Sequence, residues 1–459
     1  MIPLLGAFVA VVSTLAWGDT VCRVLEGGSR SRGTAWRLAA SWLFGSGFVS
    51  FVTFLLLWMG GSLTPSVLFL GTTGILLWLV LHRVPVRPRI AIPRLGGWEL
   101  LFVLVIAVET GLVASAALVI PPKAWDSWVN FASKALVLFV DQGLSAAVHN
   151  DPSRLPTNPS YPLLLPLQES WIFVWAGGPN EWAAGLVSLL YFVTLVLLFG
   201  CAARRVLSPA GALATTAVLA SVPRVTQGAP AGMADLPLAA LVLVSFLLVS
   251  ETLDRGESGD SIPLLAVSAG LLPWLKDEGW LWLGLLGLVL AGGLLVKLRR
   301  GEADRPRVVH ALTLFVAISA PISSAWPLFL ASRGTIRYVF LPLSLETLAR
   351  NGGRLPEIAR HLARVALNPA WSFLWPLAGL ALLVSARRAL FRKDGWLILP
   401  VIAFLALGGA GYVFSRFEPY QSHLRNSADR LLLQALPLAL WWLAAQIPGG
   451  AGGVGSRTR

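Results

Sequence analysis

Charge is what this sequence of 459 residues has little of: Asp, Glu, Lys and Arg together make 13%. A soluble domain carries roughly 25%. With 56% hydrophobic residues and a mean hydropathy of +0.72, the scarcity excludes an ordinary soluble protein. Cysteine is nearly absent. Cys22 and Cys201 fall in or beside segments read as cytoplasmic, and neither has metal-ligand spacing, which argues against a disulfide framework or a zinc site. A basic N-terminal region is also missing. MIPLLGAFVAVVSTLAWGDT is apolar without one, so it reads as a first span and not as a cleaved signal peptide. The charge that is present is lopsided, at net +13. That would suit a polyanion, but Lys and Arg sit in short loops on alternate sides of the apolar runs. This is the positive-inside pattern, a signal of topology.

What the sequence has in quantity is apolar runs near 20 residues, each long enough to cross about 30 Å of hydrocarbon. They predict an all-α, polytopic transmembrane helical bundle of about 13 spans, with the N-terminus outside and the C-terminus inside. The spans are expected at 2–17, 38–59, 64–82, 98–120, 182–203, 208–222 and 232–250, in a hairpin over 261–298, and at 308–330, 371–385, 396–415 and 430–447. Arg83, Arg87, Arg89 and Arg94 mark one cytoplasmic loop, Arg204 and Arg205 another, and Arg299 and Arg300 a third. Residues 162–177 are interrupted by Pro166, Gln168 and Glu169 and read as a helix at the outer interface, where Trp171 and Trp175 are at home. A true span there would invert every later loop, and the later basic loops reject it. The run LPEIARHLARVAL places Ile358, Leu362 and Val365 on one helical side. The glycine-rich tail reads as disordered and cytoplasmic.

Ionisable residues near membrane depth are costly and usually face a cavity or a partner. Here they gather at the external ends of the spans. Asp126 and Lys134 lie in the first long polar segment, 121–162, and Asp235 opens a span in GMADLP. Lys276, Asp277 and Glu278 form a hairpin tip; His423, Arg425, Ser427, Asp429 and Arg430 lead into the last span. Each also has a plainer reading. Asp126 suits an N-cap for a helix starting at Ser127. Lys134, eight residues on, suits a shared helix face with Asp126 or a solvated interface position. Asp235 before Leu236–Pro237 is a helix-start signature. The hairpin tip, His423 and Arg430 suit a polar turn, a loop histidine and an interfacial anchor. Their convergence on one side favours the chemical reading.

The segments WDSWVNFASKA (125–135), YP (161–162), GMADLPLA (232–239), LKDEG (275–279) and HLRNSADRLLLQALPL (423–438), in this order, resemble the GT-C superfamily of membrane glycosyltransferases. These use polyprenyl-phosphate-linked sugars and include the protein O-mannosyltransferases and the lipid A aminoarabinose transferases. The resemblance spans roughly 97–440. It implies a GT-C-like catalytic core over 97–330 with interfacial helices in its first long external loop. Residues 1–96 would be an additional N-terminal segment of three spans, and 331–459 an external amphipathic segment plus C-terminal spans. It implies Asp126 as general base; Lys134, Lys276 and Arg430 as donor-phosphate ligands; and Trp125, Tyr161, Asp235, Glu278 and His423 as pocket or acceptor residues. The partners implied are a polyprenyl-phosphate-linked sugar, membrane lipid and a glycan, lipid or protein acceptor, without nucleic acid. The place implied is the cell membrane, with the site on the external side. Some members hold a divalent metal on paired acids, but Asp126 is followed by Ser127–Trp128. A metal is therefore possible without being indicated, and no metal ligands are assigned.

The chemistry fits these groups. A carboxylate that takes the acceptor hydroxyl's proton contributes roughly 10²–10⁴-fold. The sugar carbon gains oxocarbenium character, the leaving phosphate gains charge that Lys or Arg stabilises, and a single base predicts inversion. Two other readings compete. A transporter or flippase suits the span count, but such proteins place polar sites near the midplane within repeats. A surface-polysaccharide polymerase or ligase would draw attention to 331–370 and His361.

Overall fold

The computed structural model describes residues 2–26, 32–81, 96–120, 124–144, 158–255, 261–335, 340–391 and 394–447. The basic loop over 82–94 and the glycine-rich tail lie outside them. Among the described residues the regular structure is helical, and one isolated antiparallel bridge joins Phe340 to Ser415. A backbone in hydrocarbon has to satisfy its own hydrogen bonds, and helices of Leu, Ala and Val do so locally.

The helices are α1 (Ile2–Leu25), α2 (Thr34–Trp58), α3 (Leu63–Leu81), α4 (Gly97–Val119), α5 (Ser133–Asp141), α6 (Leu164–Ala176), α7 (Glu181–Arg204), α8 (Pro209–Ala220), α9 (Pro223–Gly228), α10 (Asp235–Arg255), α11 (Ile262–Leu275), α12 (Gly279–Arg299), α13 (Arg305–Ser332), α14 (Leu345–Asn351), α15 (Leu355–Ala366), α16 (Leu374–Phe391), α17 (Ile398–Gly411) and α18 (Tyr420–Gln446). Several start on side-chain caps. Ser208 accepts from the Gly211 amide ahead of α8, and Asp304 from the Arg307 amide at 2.8 Å ahead of α13.

Nine helices among the described residues are long and apolar enough to cross a membrane, against about 13 expected. Four more helices, α8, α11, α16 and α18, occupy the other expected places. The first two have only 12 and 14 residues, about 18–21 Å of rise. α18 opens with a polar stretch. The count of about 13 is therefore not reached on length and composition.

The α6 region departs from expectation. An interfacial helix keeps one face in contact with lipid or water. Here every residue from Leu164 to Phe173 is buried, between α1, α2 and α5. Gln168 hydrogen-bonds Ser46 and accepts from Tyr191 at 3.1 Å, and the Trp171 indole donates to the Ala10 carbonyl at 3.3 Å. Buried Gln168 and Glu169 break the apolar pattern because they face protein, so the breaks do not mark an interface. The segment just after Asp126 does have the interfacial form. A π-helical turn (Ser127–Ala132) runs into α5. Ser127, Asn130, Phe131, Lys134, Ala135 and Leu138 face in, whereas Trp125, Trp128, Leu136 and Val140 face out.

The second helix is part of the bundle's interior, and the first packs along it with one face exposed. α2 is mostly buried and packs against α1, α6 and α7. α4 is the opposite case, with Leu100, Leu104, Val108 and Leu112 forming an exposed apolar stripe at a spacing of four.

Candidate functional site

Five charged side chains from four parts of the chain meet at one end of the bundle. The first is Asp126, six residues beyond Ile120, the residue that closes α4. It does not cap the following turn; its carboxylate accepts a short hydrogen bond from Arg430 Nη1. Arg430 Nε donates to Asp235 Oδ2 at 2.8 Å. The Lys276 ammonium lies 2.8 Å from Asp235 Oδ1 and 2.8 Å from Glu278 Oε1. The result is an alternating chain, Asp126–Arg430–Asp235–Lys276–Glu278, with three acids and two bases.

The local folds explain how they meet. Asp235 is the first residue of α10, where the helix N-terminus favours negative charge. Lys276 ends α11 and Glu278 precedes α12, so the tight hairpin sets them side by side. On α18 the positions 423, 427, 430 and 434 recur at helical spacing and form a polar stripe of His423, Ser427, Arg430 and Gln434. Gln434 completes the shell of Asp235 by donating to Oδ1 at 2.7 Å. Asp235 is buried with three donors on its two oxygens, so its charge is fully engaged. The Asp126 side chain is 30% exposed and holds one partner in the chain. Of the two, Asp126 is the acid that can reach a ligand.

The remaining expected residues fall into three places. Tyr161 and His423 lie within electrostatic reach of the chain, both feeling Glu278, Arg430 and Asp126. The Tyr161 ring packs edge-on to Phe131 at 5.5 Å, and burial pushes its phenol well up. His423 Nδ1 is 2.9 Å from Ser415 Oγ, among Phe340, Tyr412 and Phe417. Lys134 does not join the chain. Its ammonium donates to the carbonyls of Asn158 at 2.8 Å and Tyr161 at 2.9 Å. Asp126 turns to Arg430 and Lys134 to these carbonyls, so the two side chains do not meet. Burial lowers the Lys134 ammonium to about 7, with Asp277 opposing the shift. Lys134 thus holds the loop, apart from the alternating chain. Trp125 is turned out at 71% exposed and is not brought into the site. His361 lies on α15.

Next to Arg430 lies a cavity of about 170 Å³. Ala124, Arg224, Asp235, Trp371, Asp429 and Arg430 are among its lining residues. Arg224, in the first turn of α9, pairs with Asp429 at 3.2 Å. The sequence reading passed over Arg224, Gln227, Trp371 and Gln434. Only Gln434 carried a usable signal, its spacing of four from Arg430. The site residues do not suit a divalent metal. Arg430 stands between Asp126 and Asp235, and Lys276 between Asp235 and Glu278, so no two carboxylates of the chain share a vacant position. Among the described residues no group of three or more His, Cys, Asp or Glu is placed to bind a metal ion.

No family model matches this chain, and no curated protein does. Among solved structures it is similar to ArnT from Cupriavidus metallidurans bound to undecaprenyl phosphate. The identity is 17% over 76% of each chain, with a TM-score of 0.35. A likeness at that level carries no weight of its own.

Proposed function

We propose that the protein is a membrane glycosyltransferase of the GT-C type, moving a sugar from a polyprenyl-phosphate donor to an acceptor hydroxyl with inversion. The observation that carries this reading is the alternating charge chain at one end of an apolar bundle, bordered by the cavity at Arg430. A lipid-phosphate donor keeps its tail in the bilayer, along an apolar face such as that of α4, and brings its phosphate to Arg430 and Lys276. The chain has one more acid than base, so phosphate has to displace a carboxylate from Arg430. The most exposed of those carboxylates is Asp126. Donor binding would therefore free the base for the acceptor.

In the transfer step the acceptor oxygen bonds to the anomeric carbon as the bond from that carbon to the phosphate oxygen breaks. The electron pair leaves with the phosphate, whose added charge Arg430 and Lys276 stabilise. The acceptor proton passes to Asp126. Asp235, Glu278 and Gln434 hold the two cations in place, while Tyr161 and His423 border the acceptor side. The positive-inside rule supports a cytoplasmic placement of the other end of the bundle, where Arg32 and Arg205 lie. The site then faces out, on the cell membrane's external side.

The test is release of free polyprenyl phosphate from radiolabelled polyprenyl-phosphate sugars by the protein in lipid. Asp126→Asn should retain its fold and lipid-phosphate binding and lose about 10²–10⁴-fold in turnover. Full transfer by Asp126→Asn would remove the base assignment.

A further inference from the structure

Among the nine candidate spans, α4 has the least protein around it. Only 11% of its apolar window is buried, against 28–83% in the other eight. It nevertheless carries a carboxyl at its centre. Twelve residues of α4 precede Glu109 and ten follow it, about 18 and 15 Å of rise, so Glu109 lies near the bilayer midplane. The other polar side chains of α4 are satisfied along the helix itself. Glu99 accepts from the Gly96 amide at 2.7 Å, Thr110 donates to the Ile106 carbonyl at 2.7 Å, and Ser115 to the Gly111 carbonyl at 2.9 Å. Glu109 is half-buried and has no hydrogen bond or ion pair among the described residues. An ionisable side chain at membrane depth is costly and calls for a partner. Lipid tails offer no donor, so that partner is protein. Glu109 is also the middle member of a seam. Trp98, Phe102, Val105, Glu109, Leu112, Ala116 and Val119 recur at alternating spacings of four and three, the heptad spacing of a helix that faces another helix. None of the seven is buried. Val113 and Ala117, the buried residues of α4, lie off the seam, and so do the exposed Leu100, Leu104 and Val108.

We infer that α4 is the interface of a homodimer, paired along this seam about a two-fold axis parallel to the membrane normal, with the Glu109 carboxyls of the two copies hydrogen-bonded to each other. The inference stands without the donor reading above. A second copy in the same membrane has the same orientation. A two-fold axis therefore brings equal depths together, and the middle of the seam meets itself. There a carboxyl is self-complementary. Two ionised carboxylates would repel, whereas a pair that keeps a proton has both a donor and an acceptor to exchange. A foreign helix would need a donor at that one depth and on that one face; a second copy brings it by symmetry. One polar position in an otherwise apolar seam also fixes which residues of the two helices meet.

The experiment counts copies of the full chain in lipid vesicles at high lipid excess, by single-molecule photobleaching, and adds oxidative cross-linking of introduced cysteines. Wild type should be dimeric. Glu109→Leu should lower the association constant about three- to thirtyfold, the worth of interhelical hydrogen bonding in a membrane. It should not lower the unfolding temperature, since it takes a carboxyl out of hydrocarbon. Glu109→Gln should keep most of the association, because an amide both donates and accepts. Leu112→Cys, on the seam, should cross-link to its counterpart. Leu104→Cys, equally exposed but off the seam, should not cross-link above the parent chain, which has Cys22 and Cys201. A monomeric wild type would overturn the inference, and Glu109 would then take its donor from a different protein. So would dimers that Glu109→Leu leaves intact, or cross-linking through Leu104→Cys in place of Leu112→Cys, which would put the contact on another face.

Discussion

Arg430 holds two carboxylates that lie 304 and 195 residues from it in sequence, with one guanidinium whose planar fork fixes both directions at once. Lysine has the charge without the fork. The candidates of each sign were legible in the sequence because charge is so scarce at span ends. Their partners were not, because pairing depends on how α10, α11 and α18 lie together. Lys134 shows the limit most clearly. Its distance from Asp126 suggested a shared face, and the ammonium instead holds Asn158 and Tyr161. It also gives a pH prediction. Burial lowers its ionisation from 10.5 to about 7. Across that window the unfolded chain binds a proton that the folded chain does not, so this residue's contribution to stability rises with pH. Below the window both states are protonated and the full penalty of burying the charge applies. Thermal unfolding in detergent from pH 7 to 10 should therefore show wild type gaining on Lys134→Met as pH rises. A constant difference would mean that the ammonium is not shifted.

At the scale of elements, the helices of the bundle were legible wherever one face meets lipid, since length and hydropathy then carry the signal. α6 was not, because its polar residues face other helices, and a sequence pattern does not distinguish a polar group facing protein from one facing water. The π turn was illegible for a different reason: it has no composition of its own. The contact between α1 and α2 depends on glycine. A Cβ on Gly18 would come within 1.8 Å of the Ser41 carbonyl oxygen, and one on Gly45 within 2.0 Å of the Thr14 carbonyl oxygen. Backbone oxygens cannot swing away, so the helices would have to separate. Gly45→Ala should destabilise the fold by about 1–3 kcal/mol or more, seen as a lower unfolding temperature. Gly292→Ala on α12, with nothing within 4 Å of the new Cβ, should be neutral or slightly stabilising.

The whole molecule has two polar ends joined by α10. Asp235 begins that helix, and Glu251 lies 16 residues on, about 24 Å away along the axis. At the far end Arg32 forms ion pairs with Glu26 at 3.0 Å and Glu251 at 2.9 Å. Arg205 reaches Asp254 at 2.6 Å and Ser250 at 2.9 Å, and Ser250 donates to Asp394 at 2.7 Å. This network links the end of α1 and the approach to α2 with α7, α10 and the segment before α17. The first helices are therefore fastened to the helix that carries Asp235. Breaking one partner of a buried ion pair costs about 3–5 kcal/mol, because the other charge stays buried, whereas replacing both by apolar groups is often close to neutral. Glu251→Gln should therefore lower the unfolding temperature markedly. Arg32→Met combined with Glu26→Leu and Glu251→Leu should recover much of the loss, because Arg32 pairs with both acids. Lipid-phosphate binding per folded molecule should stay unchanged in both, since the site lies at the other end of α10. If Glu251→Gln instead weakened binding at full stability, the far end would be coupled to the site, and these ion pairs would serve more than assembly.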